Sequence, residues 1–232
     1  MNFLFLLLYI LGPIYINSWL IILYILYFNM LIPLSDLITK YNIQFKGILH
    51  VGAHECEEIS AYEQHISRDK ILWIEAIPEK VEFSKQWHSN ILIEQAVVSD
   101  TVEDVTFHIS NNGQSSSILE LGTHKIHHPG IHYVHSFSAQ TKMLKDIICN
   151  YSIDFNFLNL DIQGAELKAL KGMEDYLSKV EYIYTEVNDN YVYENCALIS
   201  DIDEYLKGFG FVRVETAWFG DCHWGDAFYI KG

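Results

Sequence analysis

Acidic side chains placed just after short apolar runs are the residues in this chain best suited to chemistry. Asp161 follows the run Phe157-Leu-Asn-Leu160, and Glu166 comes five residues later, beyond Gly164. Glu75 closes Ile71-Leu-Trp-Ile74, and Glu186 sits at the end of the run from Val180 to Val187. An acid at the end of a buried strand is seldom there without purpose, because carboxylates are rarely buried unless paired. Glu166 has a second reading as a helix-terminal carboxylate stabilised by the helix dipole. Glu75 is placed to accept hydrogen bonds from two ribose hydroxyls, its alternative being a solvated carboxylate at a strand end. His50-Val-Gly-Ala-His54 reads as a strand-to-helix turn in which Gly52 lets the backbone approach a ligand closely, or simply as a tight structural turn. It is not the GxGxxG of a pyrophosphate loop, and Glu55, Glu57 and Glu58 would repel phosphate. A ligand with a positive centre suits this edge better.

The elements that must position these groups alternate. Strands are expected at Gly47–Val51, Lys70–Glu75, Asn90–Val98, Val105–Ile109, Asp154–Leu160, Val180–Val187, Phe211–Thr216 and Asp226–Ile230. Helices are expected from Glu57 to Ser67, from Pro78 onward, from Ala165 to Leu177 and from Asn195 to Lys207. Such alternation implies right-handed crossovers and a mostly parallel sheet with helices on both faces. The last strand follows its predecessor by a short connection and is therefore expected to be antiparallel. In such sheets ligands sit beyond the carboxyl ends of the strands, where the acids above lie.

The composition narrows the class. The formal net charge is −15 over 232 residues, which excludes a basic nucleic-acid-binding surface as the dominant theme. Residues 1–35 contain no charged side chain, and the rest has the composition of an ordinary globular domain. The apolar segment 1–34 is long enough to cross a bilayer, with 14–34 the stretch concerned. Lys40 and Lys46 would then place the following domain, 35–232, on the cytoplasmic side. The competing expectation is that Met30 is the true start and the protein is cytoplasmic. The four cysteines, Cys56, Cys149, Cys196 and Cys222, form no CxxC pair and are expected to be reduced thiols.

Two further groups attract attention. His124 to His135 holds five histidines in twelve residues. Without an HExxH-like pair, and with His128-Pro129 marking a turn, it is expected to be a solvated or substrate-lining loop, with metal binding the alternative. Tyr182, Tyr184, Tyr191, Tyr193, Trp218 and Trp224 are expected mostly to be strand and core aromatics.

The run FLNLDIQGAELKALKGM resembles the signature of the FkbM-type methyltransferases, a branch of the class I S-adenosylmethionine-dependent enzymes. GILHVGAHECEE, WIEAIPEKV, EQAVVSD, QSSSILELGTHK and GDAFYIKG resemble the same family in order, over about residues 31–232. Where the family's first loop commonly reads DVGANxG, this chain has His50, His54 and Cys56 for the Asp, the Asn and the last Gly. The resemblance implies a Rossmann-like class I methyltransferase sandwich, with a seven-stranded, mostly parallel sheet and an antiparallel last strand. It also implies S-adenosylmethionine as cofactor. Gly52, Ala53 and His54 would line its methionine and ribose part, Glu75 would hold the ribose hydroxyls, and Ala96 with Val97 would lie against adenine. Asp161 would stand beside the methyl group. The implied reaction is O-methylation of a small-molecule, sugar or glycan hydroxyl, with Asp161, Glu186 and His54 the candidates for the base. The alternatives are a non-catalytic binding module, a membrane-tethered scaffold, and a nicotinamide-type oxidoreductase, the last disfavoured by the missing GxGxxG.

Overall fold

The structure, a computed structural model, describes residues 30–232. The membrane anchor and the alternative start at Met30 turn on residues 1–29, outside the described residues. Among the described residues no helix is long and apolar enough to cross a membrane.

Seven strands form one sheet. They are β1 (Ile48–Val51), β2 (Ile71–Glu75), β3 (Leu92–Gln95), β6 (Phe157–Leu160), β7 (Tyr182–Asn188), β8 (Phe211–Trp218) and β9 (Trp224–Lys231). Their order is β3-β2-β1-β6-β7-β9-β8. The first five are parallel, and β9 inserts antiparallel between β7 and β8. The two remaining strands, β4 (Asp104–Ser110) and β5 (Tyr133–Gln140), pair antiparallel as a separate ribbon.

The central strands are buried along their whole length, as a sheet covered on both faces requires, and successive residues face opposite cores. Leu49, Val51, Leu72, Ile74, Leu158 and Leu160 face one core. That core is closed by α5 (Leu144–Ile148), α6 (Glu166–Lys171) and α7 (Ile199–Lys207). Ile48, Ile71, Trp73, Phe157, Tyr184 and Phe228 face the other core. There α1 (Leu34–Tyr41), α2 (Ile59–Tyr62) and α3 (Pro78–Trp87) supply the cover.

Several elements differ from expectation for local reasons. The first crossover helix is a single turn, α2, because beyond Tyr62 only the half-buried Ile66 continues its apolar face. The helix expected from Ala165 to Leu177 ends at Lys171. Gly172 there passes so close to Ser99 that a Cβ would lie 2.4 Å from its carbonyl oxygen, and the chain resumes as a 3₁₀ turn over Glu174–Lys179. The helix expected from Asn195 begins at Ile199, where the Asp201 carboxylate accepts the Leu198 N–H at 2.8 Å. The third strand is shorter than Asn90–Val98. The largest correction concerns the histidine-rich stretch. It is not one loop but the short helix α4 (His124–His127) followed by strand β5, whose partner β4 begins at Asp104.

The register fixes the site. Ile74 pairs with Val51, Val51 with Leu160, and Leu160 with Thr185. The next residues, Glu75, Gly52, Asp161 and Glu186, therefore share one row at the carboxyl edge of the sheet. Glu186 is in turn the partner of Asp226 on β9.

Candidate active site

A cleft of about 320 Å³ opens along this row. Gly52 forms its floor at φ +91°, and a Cβ there would lie 1.7 Å from the Asp161 carbonyl oxygen. Only glycine fits between the two strand ends. The turn is held from below by the N–H groups of Gly52 and Ala53, both donated to the Ile74 carbonyl at 2.9 and 3.0 Å. Ala53 itself packs into the core under the turn, whereas Gly52 and His54 line the cleft.

Glu75 is buried, and its carboxylate accepts the His54 N–H at 2.7 Å and the Ile77 N–H at 2.8 Å. Burial raises its pKa, while these backbone donors oppose the rise. Beside it Ile77, Val97 and Phe107 form an apolar wall, continued by Ala96. His54 bonds the Glu57 carboxylate through Nδ1 at 2.6 Å, and its buried Nε2 has no partner.

On the other side of Gly52 stand Asp161 and Glu186. Between them Gln163 donates its amide to Asp161 Oδ1 at 2.5 Å and to Glu186 Oε2 at 2.6 Å. Burial raises the pKa of Asp161, and that of Glu186 rises well above the usual range through burial and the neighbouring charge of Asp161. Two carboxyls this close favour a single proton shared between them. Glu166 lies behind the turn, where one oxygen accepts the N–H groups of Ile162 at 2.9 Å and Gly164 at 3.1 Å. It ties the turn rather than capping an open helix end, and burial lifts its pKa to about 7. Asp226, also raised to about 7 by burial, accepts the Leu31 N–H at 2.6 Å and the Tyr184 hydroxyl.

The outer wall holds residues that sequence reasoning placed elsewhere. His124, on the stretch expected to be a solvated or substrate-lining loop with metal binding the alternative, lines the cleft with His128. Burial pushes the pKa of His124 down to about 4, so the ring is neutral, and its buried Nδ1 has no partner. The backbone around it is pinned by the carbonyls of Tyr191 and Val192, which accept the N–H groups of Gly122, Thr123 and His124. Among the described residues no three histidine, cysteine, aspartate or glutamate side chains converge on a metal-sized site. Tyr193 and Trp224, expected in the core, also line the cleft, and Trp224 stacks on Phe219 with ring centroids 4.7 Å apart. Tyr191 and Trp218 are exposed instead. Nothing in the sequence singles out Gln163, whose role depends on Tyr193, and His124 is marked only as one of five clustered histidines.

The donor set fits S-adenosylmethionine. Glu75 offers a buried carboxylate beside an apolar wall, the pairing a nucleoside needs. The carboxyls of Asp161 and Glu186 stand at the opposite end, and among the described residues no lysine or arginine lines the cleft. A cationic group balances that charge, whereas a pyrophosphate has no partner here.

The Methyltransferase FkbM domain model matches residues 50–213. The 2-O-methyltransferase NoeI of Sinorhizobium fredii is 26% identical over 126 residues, covering 51% of this chain and 52% of that protein. The chain thus matches about half the length of this curated relative. Solved structures that align with it include the magnesium protoporphyrin IX methyltransferase of Synechocystis PCC 6803 with bound SAM. That alignment has 9% identity and a TM-score of 0.48, over 85% of this chain and 76% of the other. An S-adenosylmethionine-dependent methyltransferase from Clostridium acetobutylicum ATCC 824 aligns with 6% identity and a TM-score of 0.49, over 85% and 89%. Neither alignment bears on substrate.

Proposed function

Since the chain belongs to the FkbM methyltransferase family, we propose that it binds S-adenosylmethionine and methylates a hydroxyl of an uncharged small molecule, sugar or glycan. In this reading Glu75 holds the ribose hydroxyls, Ala96, Val97 and Ile77 receive the adenine, and Gly52, His54 and Asp161 hold the methionine end. When bound, the cofactor supplies an electrophilic methyl group. The chain's part is to orient the acceptor, exclude water and take up one proton.

The observation that carries the acceptor class is the absence, among the described residues, of any lysine or arginine from the cleft lining. A phosphorylated or carboxylated acceptor would enter beside buried acids with no counter-charge. A neutral, hydroxylated one finds imidazoles, the amide of Gln163 and the stacked rings of Phe219 and Trp224, surfaces suited to the polar edge and apolar face of a sugar. The printed name of the NoeI relative, a 2-O-methyltransferase, agrees with a hydroxyl acceptor.

Three groups in the cleft can accept the hydroxyl proton. They are the Asp161–Glu186 pair, His124, which is neutral with an unpartnered Nδ1, and His54. The Nδ1 of His54 is bound to the Glu57 carboxylate, which leaves its unpartnered Nε2 as the accepting atom. The test is a methyl-transfer screen with radiolabelled S-adenosylmethionine against neutral glycosides and their phosphorylated counterparts. Transfer to neutral acceptors, lost in Asp161→Ala with the fold intact, is expected. Preference for phosphorylated acceptors, or full activity in Asp161→Ala, would overturn the reading.

A further inference from the structure

Gln163 meets two acids with its side chain at the carboxyl edge of the sheet, the half-buried Asp161 and the buried Glu186. It adopts a left-handed backbone at φ +57°, a conformation uncommon outside glycine, asparagine and aspartate. Its main-chain carbonyl accepts the Ser117 hydroxyl at 2.8 Å, which fixes the turn. Its side-chain amide is held at three points. The Nε2 group donates to Asp161 and Glu186, and Oε1 accepts the hydroxyl of Tyr193 at 2.5 Å.

Tyr193 decides which way the amide faces. Its ring is 1% exposed, and burial keeps the phenol protonated. As a donor it selects the carbonyl end of Gln163 and leaves both amide N–H groups for the acids. A reversed amide would set its carbonyl against two carboxyl groups. Asp161 and Glu186 meet on the same amide nitrogen, and repulsion between two charges so placed favours one proton between them.

We infer that Gln163, oriented by Tyr193, is a positioning residue that holds Asp161 and Glu186 as a pair carrying one negative charge, and that this charge is the counter-ion for the sulfonium of S-adenosylmethionine. The inference rests on the methyl-donor reading and adds to it the residue that sets the charge. Donors to the ionised form favour it, so Gln163 keeps the pair singly charged near neutral pH. The other titratable groups facing the pair are His54 and Glu57 on the first turn, Glu166 on α6, Asp226 on β9 and Tyr193 itself. Of these only His54 can be cationic.

The test is calorimetric titration of the full chain with S-adenosylmethionine and with S-adenosylhomocysteine, which lacks the sulfonium charge, between pH 6 and 9. Cation binding needs the ionised pair, so affinity for S-adenosylmethionine strengthens as pH rises through its titration. In Gln163→Leu two charge-assisted donors are gone. Affinity for S-adenosylmethionine is then expected to fall about tenfold or more at pH 7, that for S-adenosylhomocysteine by less than about threefold, and the pH dependence to move to higher pH. Tyr193→Phe removes only the orienting hydroxyl and is expected to act in the same direction by about threefold, and it serves as the test should the leucine variant not fold. Equal weakening of both ligands, or an unmoved pH dependence, would show a role in shape alone and overturn the inference. Wild-type protein that binds neither ligand would remove the methyl-donor reading as well.

Discussion

Replacing Asp226 by asparagine should stabilise the fold at alkaline pH while changing little at acid pH. Asp226 is 4% exposed, and its carboxyl accepts the Leu31 N–H and the Tyr184 hydroxyl, with no cation beside it. Burial raises its pKa from the ordinary 3.8 to about 7. The folded state therefore holds a proton that the unfolded chain has already released between those two values. Unfolding gives up this proton, so stability is highest below about pH 4 as far as this group is concerned. It declines as pH rises to about 7 and is level beyond. At about 1.4 kcal/mol per pH unit, the full decline from this one side chain is about 4 kcal/mol. For a domain of this size that corresponds to roughly 10 °C in melting temperature. Asparagine offers the same acceptor oxygen to Leu31 and Tyr184 and never ionises. Urea unfolding of wild type and Asp226→Asn at pH 5 and pH 8 measures the difference directly. The variant should be more stable relative to wild type at pH 8 than at pH 5 by a few kcal/mol. Identical pH dependence in the two proteins would refute the reasoning.

Gly52→Ala places a methyl group 1.7 Å from the Asp161 carbonyl at a positive φ. Overpacking and backbone strain together should cost about 2–5 kcal/mol, read as a lower melting temperature, and should weaken S-adenosylmethionine binding. Glu75→Ala removes the acceptor of the His54 and Ile77 N–H groups, so it should loosen the first turn and reduce cofactor affinity by about tenfold or more in titration. His124→Gln should leave cofactor affinity within about twofold. If His124 takes the acceptor proton, turnover should fall by about a hundredfold; unchanged turnover leaves Asp161 or His54 as the base.

Much of the scaffold was readable because its signals are local. Short apolar runs ending in Val51, Glu75, Leu160 and Val187 each became a central strand, and the acids beyond them share one row because parallel pairing keeps register. The β4–β5 ribbon was legible only in part. β5 has an inward face of Tyr133, Phe137 and Ala139 that is only half-buried and is broken by the exposed His135, so its alternation is weak in the sequence. The crossover helices were read too long because Gly172 and the sparse apolar face after Tyr62 stop them early. Asp161 and Glu75 stood out as acids at strand ends. Gln163 did not, since a glutamine in a turn gains meaning only from Tyr193, thirty residues away. His124 is legible as one of five clustered histidines but not as the one at the cleft: its backbone is held by the loop carrying Tyr191 and Val192, a contact that no sequence period encodes.

The central claim is that the row Gly52, Glu75, Asp161 and Glu186 forms the cradle of a methyl donor. Equilibrium dialysis of the full chain with radiolabelled S-adenosylmethionine tests it most directly. The account predicts saturable binding at one site per chain, displaced by S-adenosylhomocysteine and weakened by Glu75→Ala. Absence of saturable binding at millimolar ligand, with the protein folded, would contradict it.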